Sequence, residues 1–490
     1  MDRRRFLGAG LGAGALALAG AARADQQTRH RFHAALARDP SLAVYADTVG
    51  SQAGEASISG RLPADLRGSF YRNGPGRFEL GGERYHHWFD GDGFVQRWTI
   101  ADGKVRHQGR FVETRRYTDE TLAGQFLYPS FGTHVLRRGF RDNDTLNAAN
   151  TNLLPFNGRV YALWEGGSAT EVDPETLATV GIHTWRADLR AMPFSAHPKL
   201  DPQGGMWNFG ALPGSGRIAV YQVGPDGRVL RTALVSVPRQ AMVHDFAVSG
   251  QHLIFLIPPY DLKPGSSMSF AERHAWAGSG PDARPMRVVV VAKDTLAIRQ
   301  VFELPPSMVF HFGNAWEDGA CTRFDVVLHE GDVLARLGAL MAGERQAGPA
   351  SQAVQVCLDY ASGQARTSRL FGDSEFPRVA PYVAGSRHRK LALLGGNGIL
   401  SSVNLVDTDS GAVDCYRFGD GWQVEEHVLV PRRNARSETD GYLVGVVQDL
   451  RKGVGVLSVF DAARVRAGPL ALARLPYRTP HCFHGNFLAT

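Results

Sequence analysis

The chain runs to 490 residues, 43% of them hydrophobic and 21% charged, which supplies a large core and excludes a disordered polymer. Its formal charge of +6 includes Arg3, Arg4, Arg5, Arg23 and Asp2 of the leader; with these set aside the balance is +3, and no nucleic-acid partner is indicated. Cys321, Cys357, Cys415 and Cys482 form no CxxC pair, which excludes a zinc knuckle and a dense disulfide framework.

In chain order, residues 1–24 read as a twin-arginine signal. Asp2-Arg3-Arg4-Arg5-Phe6-Leu7 precedes a Gly- and Ala-rich apolar run, and Ala22-Arg23-Ala24 offers small residues for cleavage after Ala24. The run is too short for a membrane span of about 20 residues, so the expected location is the periplasm. Residues 25–59 are polar and read as an N-terminal arm. From residue 60 to 490 the pattern becomes short β-branched and aromatic runs between turn residues, such as Gly216–Val223, Gln251–Ile257, Met286–Ala292 and Tyr442–Gln448. These predict strands.

One turn recurs, an aspartate closing an apolar strand before a Gly-, Ser-, Thr- or Pro-containing bend. It stands at Asp102, Asp173, Asp226, Asp294, Asp359, Asp407 and Asp461, at intervals of 71, 53, 68, 65, 48 and 54 residues. Aspartate suits the place because its side chain caps the backbone of the bend. Seven similar units predict an all-β fold, a seven-bladed β-propeller with a cap of loops and short helices. Asp332 is expected to cap one such helix through Gly343, whose apolar face (Val333, Leu334, Leu337, Leu340, Met341) either packs on the propeller or rests on a membrane surface.

Four histidines sit at similar offsets past these turns. His197, His244, His311 and His484 follow their aspartates by 24, 18, 17 and 23 residues, which returns each to the innermost strand of the next blade and so to the axis. Glu375 and Glu426 stand at the matching offset elsewhere. Such a set predicts a metal site with carboxylates fixing the outer ring nitrogens. Four neutral imidazoles leave a divalent iron its full charge and, in an octahedral frame, two open positions for dioxygen and a double bond. Zinc, with its preference for tetrahedral sites, fits less well.

The ordered blocks closely resemble the carotenoid cleavage oxygenase family, which includes apocarotenoid- and stilbene-cleaving enzymes and the retinal pigment epithelium isomerase. The resemblance is carried by Phe70–Pro75, His87–Gly93, Ala149–Asn152, Leu163–Gly167, Ala196–Pro202, His244–Phe246, Phe310–Glu317, Glu375–Arg378, Glu438–Tyr442 and Phe483–Gly485. It implies Fe(2+) held by His197, His244, His311 and His484, with outer glutamates at Glu165, Glu375 and Glu426; Glu425 is adjacent, so the last assignment could slip by one. It implies cleavage of a carbon–carbon double bond by dioxygen to give two carbonyl products. The Asp90–Gly93 block reads as a structural bend, and His86, His87, His427 and His481 as structural or solvent-facing.

Stilbene-cleaving relatives place a lysine shortly before the Ala-Asn-Thr-Asn block, yet no lysine occurs here between Lys104 and Lys199. The expected substrate is therefore a carotenoid or apocarotenoid, with Tyr117, Phe126, Tyr128 and Phe131 as candidates for an apolar tunnel wall. A lignostilbene or phenylpropenoid substrate is the alternative within the same chemistry. The blocks are also compatible with isomerisation of the double bond, and with an exported propeller that binds an apolar ligand without turnover.

Overall fold

The structure is a computed structural model that describes residues 18–212, 214–237, 242–264, 268–346, 351–396 and 398–490. The double-arginine motif of the leader lies outside these residues. Seven antiparallel sheets of four or five strands follow one another along the chain, a seven-bladed β-propeller. The fifth blade shows the pattern, with Met308–Asp318 innermost, then Cys321–His329, Ser351–Asp359 and Gln364–Gly372.

All seven recurring aspartates fall on one connection, the hairpin between the third and fourth strands of a blade counted from the axis. Asp173 shows why the residue type is used there. Its Oδ1 accepts from the backbone N–H of Glu175 and Thr176 and from the Thr176 hydroxyl, so the bend is satisfied locally. Asp359 and Asp407 accept in the same way from Ser362 and Ser410.

Strand patterning follows the layer each strand occupies. Central strands such as His252–Ile257 are buried along their whole length because a neighbouring blade covers each face, whereas the outer strand Val229–Ser236 alternates. Neighbouring blades therefore share cores. Ile254, Val288 and Phe302 of the fourth blade pack with Phe312, Phe324 and Val356 of the fifth, and full burial of each such side chain contributes roughly 1.5–3 kcal/mol.

The ring closes twice. The innermost strand of the first blade is the last of the chain, His484–Ala489, paired with Gly68–Arg77 and bringing His484 opposite Asn73. The segment read as an N-terminal arm supplies the second closure. Gln52–Glu55 edges the first blade, and Ser57–Gly60 pairs with Ala471–Arg474 of the last. These strands are short, and their partners are far along the chain, so no local pattern announces them.

Three longer helices cap the ring. Leu18–Leu36 packs Phe32 and Ala35 on Leu340 and Met341 of Val333–Met341. Asp332 caps the latter helix by accepting from Ala335 N–H. Its other apolar residues, Val333 and Leu334, pack with Met242, Tyr260 and Phe310. Much of the predicted apolar face thus packs on protein. Arg115–Ala123 starts at Thr114, which accepts from Tyr117 N–H, and ends at Gly124 with φ of 65°, a left-handed turn that suits glycine. Among the described residues no helix is long and apolar enough to cross a membrane.

Candidate metal centre

The four histidines predicted to converge do so. Their nearest ring nitrogens lie within 4.8 Å of one another, with Nε2 to Nε2 distances of 2.9 Å for His197 and His244 and 3.1 Å for His311 and His484. His197 and His244 stand just ahead of the inner strands Lys199–Leu200 and Ala247–Val248, while His311 and His484 lie in inner strands. The strand carrying His311 shifts register on both sides of Phe312, and the strands carrying Glu375 and Glu426 shift register as well. Bulges of this kind turn a side chain out of the ladder toward a site.

Buried polar bonds lock the loops between blades. Asp245 accepts from Phe246 N–H, Phe312 N–H and Lys199 Nζ, which ties the third, fourth and fifth blades together. Asn73 donates to the carbonyls of Ala149 and Asn152. Asp92 takes Arg77 and Arg116, and Asp90 accepts from Gly132 N–H and Thr133 Oγ1. A Cβ on Gly93 would meet Ala149 O at 2.0 Å, so the Asp90–Gly93 block is a structural hub beside the site.

Three imidazoles have a carboxylate behind them. Glu165 lies against Nδ1 of His244, His311 Nδ1 donates to Glu375 at 2.6 Å, and His484 Nδ1 donates to Glu426 at 3.1 Å. A proton held on Nδ1 leaves the Nε2 lone pair free to coordinate. Of the adjacent acids, Glu426 faces the cluster, and Glu425 turns to Arg72, Gln448 and Cys482 N–H. Among the described residues no carboxylate pairs with His197.

The electrostatics differ from ring to ring: burial opposes a charge on His244, yet Glu165 outweighs it and raises that ring above its ordinary value, whereas two other rings are held neutral. Burial pushes His484 down to about 3 against the pull of Glu426, and burial with the three neighbouring imidazoles holds His197 well below its ordinary value. Burial opposes ionisation of Glu426, yet Arg378 and His484 outweigh it and keep the carboxylate well below its usual range. The set therefore fits a cation. Bonds of about 2.1 Å at right angles put adjacent ligand nitrogens about 3 Å apart, as observed for both close pairs.

The site also includes a histidine that no motif singles out. His329 Nε2 donates to Glu375 Oε1 at 2.6 Å, so that carboxylate is clamped between His329 and His311. His329 ends a strand without a distinctive local pattern, and only the bulge at Glu375 brings the two together. His481, read as structural or solvent-facing, lines a cavity beside the cluster. His87 and His427 are buried and hydrogen-bonded to Leu334 O and Ser458 Oγ.

That cavity has a volume of about 860 Å³, within the range of small-molecule sites. His244, His311 and His484 reach its wall, together with Phe89, Phe310, Phe376 and Phe483. Of the four aromatic tunnel candidates, Phe131 lines it. The other three are corrected by the structure. Tyr117 stacks on Phe111 under Arg77, Phe126 stacks on Tyr85, and Tyr128 donates to Asp119. The cap segment folds on its own polar anchors, including Glu120, which accepts from Leu127 and Tyr128 N–H. These three rings are therefore spent inside the cap.

Residues 46–489 match the family described as RPE65, retinal pigment epithelial membrane protein. The chain belongs to this carotenoid cleavage oxygenase family. Within it, the apocarotenoid-15,15'-oxygenase of Synechocystis sp. is 29% identical over 88% of this chain and 92% of its own length. The isoeugenol monooxygenase of Pseudomonas nitroreducens is 26% identical over 88% and 94%, and the carotenoid 9,10(9',10')-cleavage dioxygenase 1 of Arabidopsis thaliana 28% over 88% and 86%. A crystal structure of cobalt-substituted Synechocystis apocarotenoid oxygenase superposes with a TM-score of 0.82 at 26% identity, covering 92% of this chain and 98% of that one. Members of the family are oxygenases that act on the double bonds of carotenoids, apocarotenoids and stilbenes.

Proposed function

We propose that the chain is an Fe(2+)-dependent dioxygenase that cleaves a carbon–carbon double bond of a carotenoid or apocarotenoid to two carbonyl products. The observation that carries this reading is the convergence of four imidazoles, three of which reach the wall of a largely apolar cavity. His197, His244, His311 and His484 would hold the metal. Iron supplies the capacity to activate dioxygen toward an electron-rich double bond.

The protein's own contribution is placement and dryness. Glu165, Glu375 and Glu426 keep the Nδ1 protons in place and so fix each ring's orientation. Phe89, Phe310, Phe376 and Phe483 surround the histidines with carbon, which excludes water and leaves room for a polyene. His329 and Phe376 N–H both hold Glu375, so that this support does not shift when the cavity fills.

Two features bear on the substrate. Asn143 and Leu146 line the cavity just ahead of the Ala-Asn-Thr-Asn block, where no lysine is present to polarise a phenol. This favours a polyene. The second reading, a stilbene or phenylpropenoid substrate, is supported by the isoeugenol monooxygenase and by the lignostilbene-α,β-dioxygenase isozyme III of Sphingomonas paucimobilis, 27% identical over 88% of this chain. Export to the periplasm belongs to the proposal and rests on the leader sequence, as does loading of iron before export.

The test is metal content of the purified chain followed by oxygen uptake with an apocarotenoid and with a hydroxystilbene, with products weighed by mass spectrometry. About one iron per chain, uptake on the polyene and two shorter carbonyl products are expected. A product of unchanged mass indicates isomerisation, and ligand binding without uptake indicates a propeller that binds without catalysis.

A further inference from the structure

Two arginines in the cavity wall have no carboxylate to meet. Arg336 stands on helix Val333–Met341 and Arg273 ends the short helix Phe270–Arg273; both are partly exposed, and both line the cavity. Among the described residues the Arg336 side chain makes no hydrogen bond or ion pair. Asp332, the acid whose charge acts on it, spends Oδ1 on Ala335 N–H and the Tyr260 hydroxyl. Of the Arg273 side chain only Nε–H is engaged, donating to Lys263 O at 3.4 Å. Neither guanidinium has a nitrogen that is both buried and unpaired, so their free N–H groups open onto accessible space.

The two helices border one stretch of the wall. Phe270, Val333, Leu334 and Leu337 pack in a single apolar cluster with Tyr260 and Phe310, and the Tyr260 ring stands 6.2 Å from His274, the residue after Arg273. On the inner side Phe310 lies 5.4 Å from His244, so a carbon-lined path joins the arginines to the histidines. The wall's own carboxylates do not serve them. Glu165 and Glu375 are held against His244 and His311, and among the described residues Asp373 pairs with neither arginine. Burial holds the Arg336 guanidinium below its ordinary value against the pull of Asp332, a cost that a bound anion would offset.

We infer that Arg336 binds a carboxylate at the outer end of the substrate, with Arg273 adding positive potential, so that the molecule is an unsaturated acid whose chain reaches inward past Phe310. A guanidinium meets a carboxylate through two parallel N–H···O bonds, which an ester or a hydrocarbon end cannot reproduce. The acid end keeps its contact with water while the hydrocarbon is buried, which suits an amphiphile that enters chain first. The anchored end then fixes the reach to the histidines, and with it the double bond presented there. The inference deepens the oxygenase reading and rests on it for the reaction at that bond.

The test uses the full metal-loaded chain under anaerobic conditions, titrated with an apocarotenoic acid and with its methyl ester. A stilbene carboxylic acid and its methyl ester are run in parallel. The acid of one pair should bind about tenfold tighter than its ester, and the pair that shows the preference tells a polyene acid from a stilbene acid. Arg336→Gln should bring that ratio close to one, and Arg273→Gln should lower it roughly two- to threefold. A ratio near one for both pairs in the unaltered chain overturns the inference. So does a tenfold ratio that survives Arg336→Gln, which would place the acid on the metal instead. Turnover in air is scored separately. A tenfold ratio that Arg336→Gln removes, without cleavage, leaves the arginine site standing and defeats the oxygenase reading, and cleavage with a ratio of one does the reverse.

Discussion

The two halves of the histidine cluster are built differently. On the side of the fifth and first blades, His311 and His484 are backed by carboxylates that are themselves gripped: Glu375 by His329 and Phe376 N–H, Glu426 by Arg378 and Gly485 N–H. On the side of the third and fourth blades, His197 has no carboxylate among the described residues, and Glu165 behind His244 has a side chain 31% exposed, against 13% for Glu375 and 2% for Glu426. One half is a fixed frame. The other is looser, because Glu165 lines the cavity with its side chain partly exposed, so an incoming molecule alters the surroundings of the carboxylate behind His244.

The largest effect expected is on the fixed frame. His311→Ala should abolish metal binding and turnover while the propeller still melts cooperatively; full metal content in that variant would overturn the assignment of His311 as a ligand. Next comes the frame's buried support. Arg72 donates to Glu425 at 2.7 Å, with both side chains almost wholly buried, so Arg72→Met should cost about 3–5 kcal/mol of stability by leaving a buried carboxylate unpaired. Denaturant unfolding checks this.

The comparison itself is sharpened by neutralising the acids one at a time. Glu375→Gln and Glu426→Gln should weaken metal binding by roughly 10–100-fold. Glu165→Gln should fall at or below the lower end of that range, because water already reaches its carboxylate. Equal losses in all three would erase the distinction between the halves. His329→Leu should give a smaller loss than Glu375→Gln, since Glu375 keeps its bond to His311; competition with a chelator measures all four.

The smallest effect is on acid stability, away from the metal. Burial pushes His87 and His427 down to about 4 and His107 to about 3. Their folded values lie below the unfolded value, so the unfolded chain takes up protons first. Their contribution is complete above about pH 6.5 and is lost as pH falls toward 4 and 3. Each histidine adds up to about 1.4 kcal/mol per pH unit to the slope. Thermal melts from pH 7 to 4 should show the fall, and His107→Gln, which replaces a ring bonded to Gln96 and Tyr477, should make it shallower.

What can be read from the sequence is whatever is encoded locally. Five of the seven hairpin aspartates bond to residues two or three positions away, and because the residue recurs at the same turn it counts the blades. The four histidines sit at similar offsets from those turns, so their convergence is a consequence of counting. The contacts that escape such reading are non-local. His329 meets Glu375 across two strands, Ser57–Gly60 joins a strand some four hundred residues on, and Gln423 reaches Tyr45 from the far end of the chain. Aromatic content likewise does not mark the cavity, because a ring lines it only if the cap leaves that ring unspent.

The closing strand carries one of the four clustered histidines. His484 arrives with the last strand, which completes the first blade by pairing with Gly68–Arg77, so a chain that ends before it offers three imidazoles on an open ring. Capture of a metal by all four would draw its free energy partly from that final pairing and return it as added resistance to opening. Metal occupancy would thus report that the ring has closed, and opening of that strand would be felt first at the centre of the molecule.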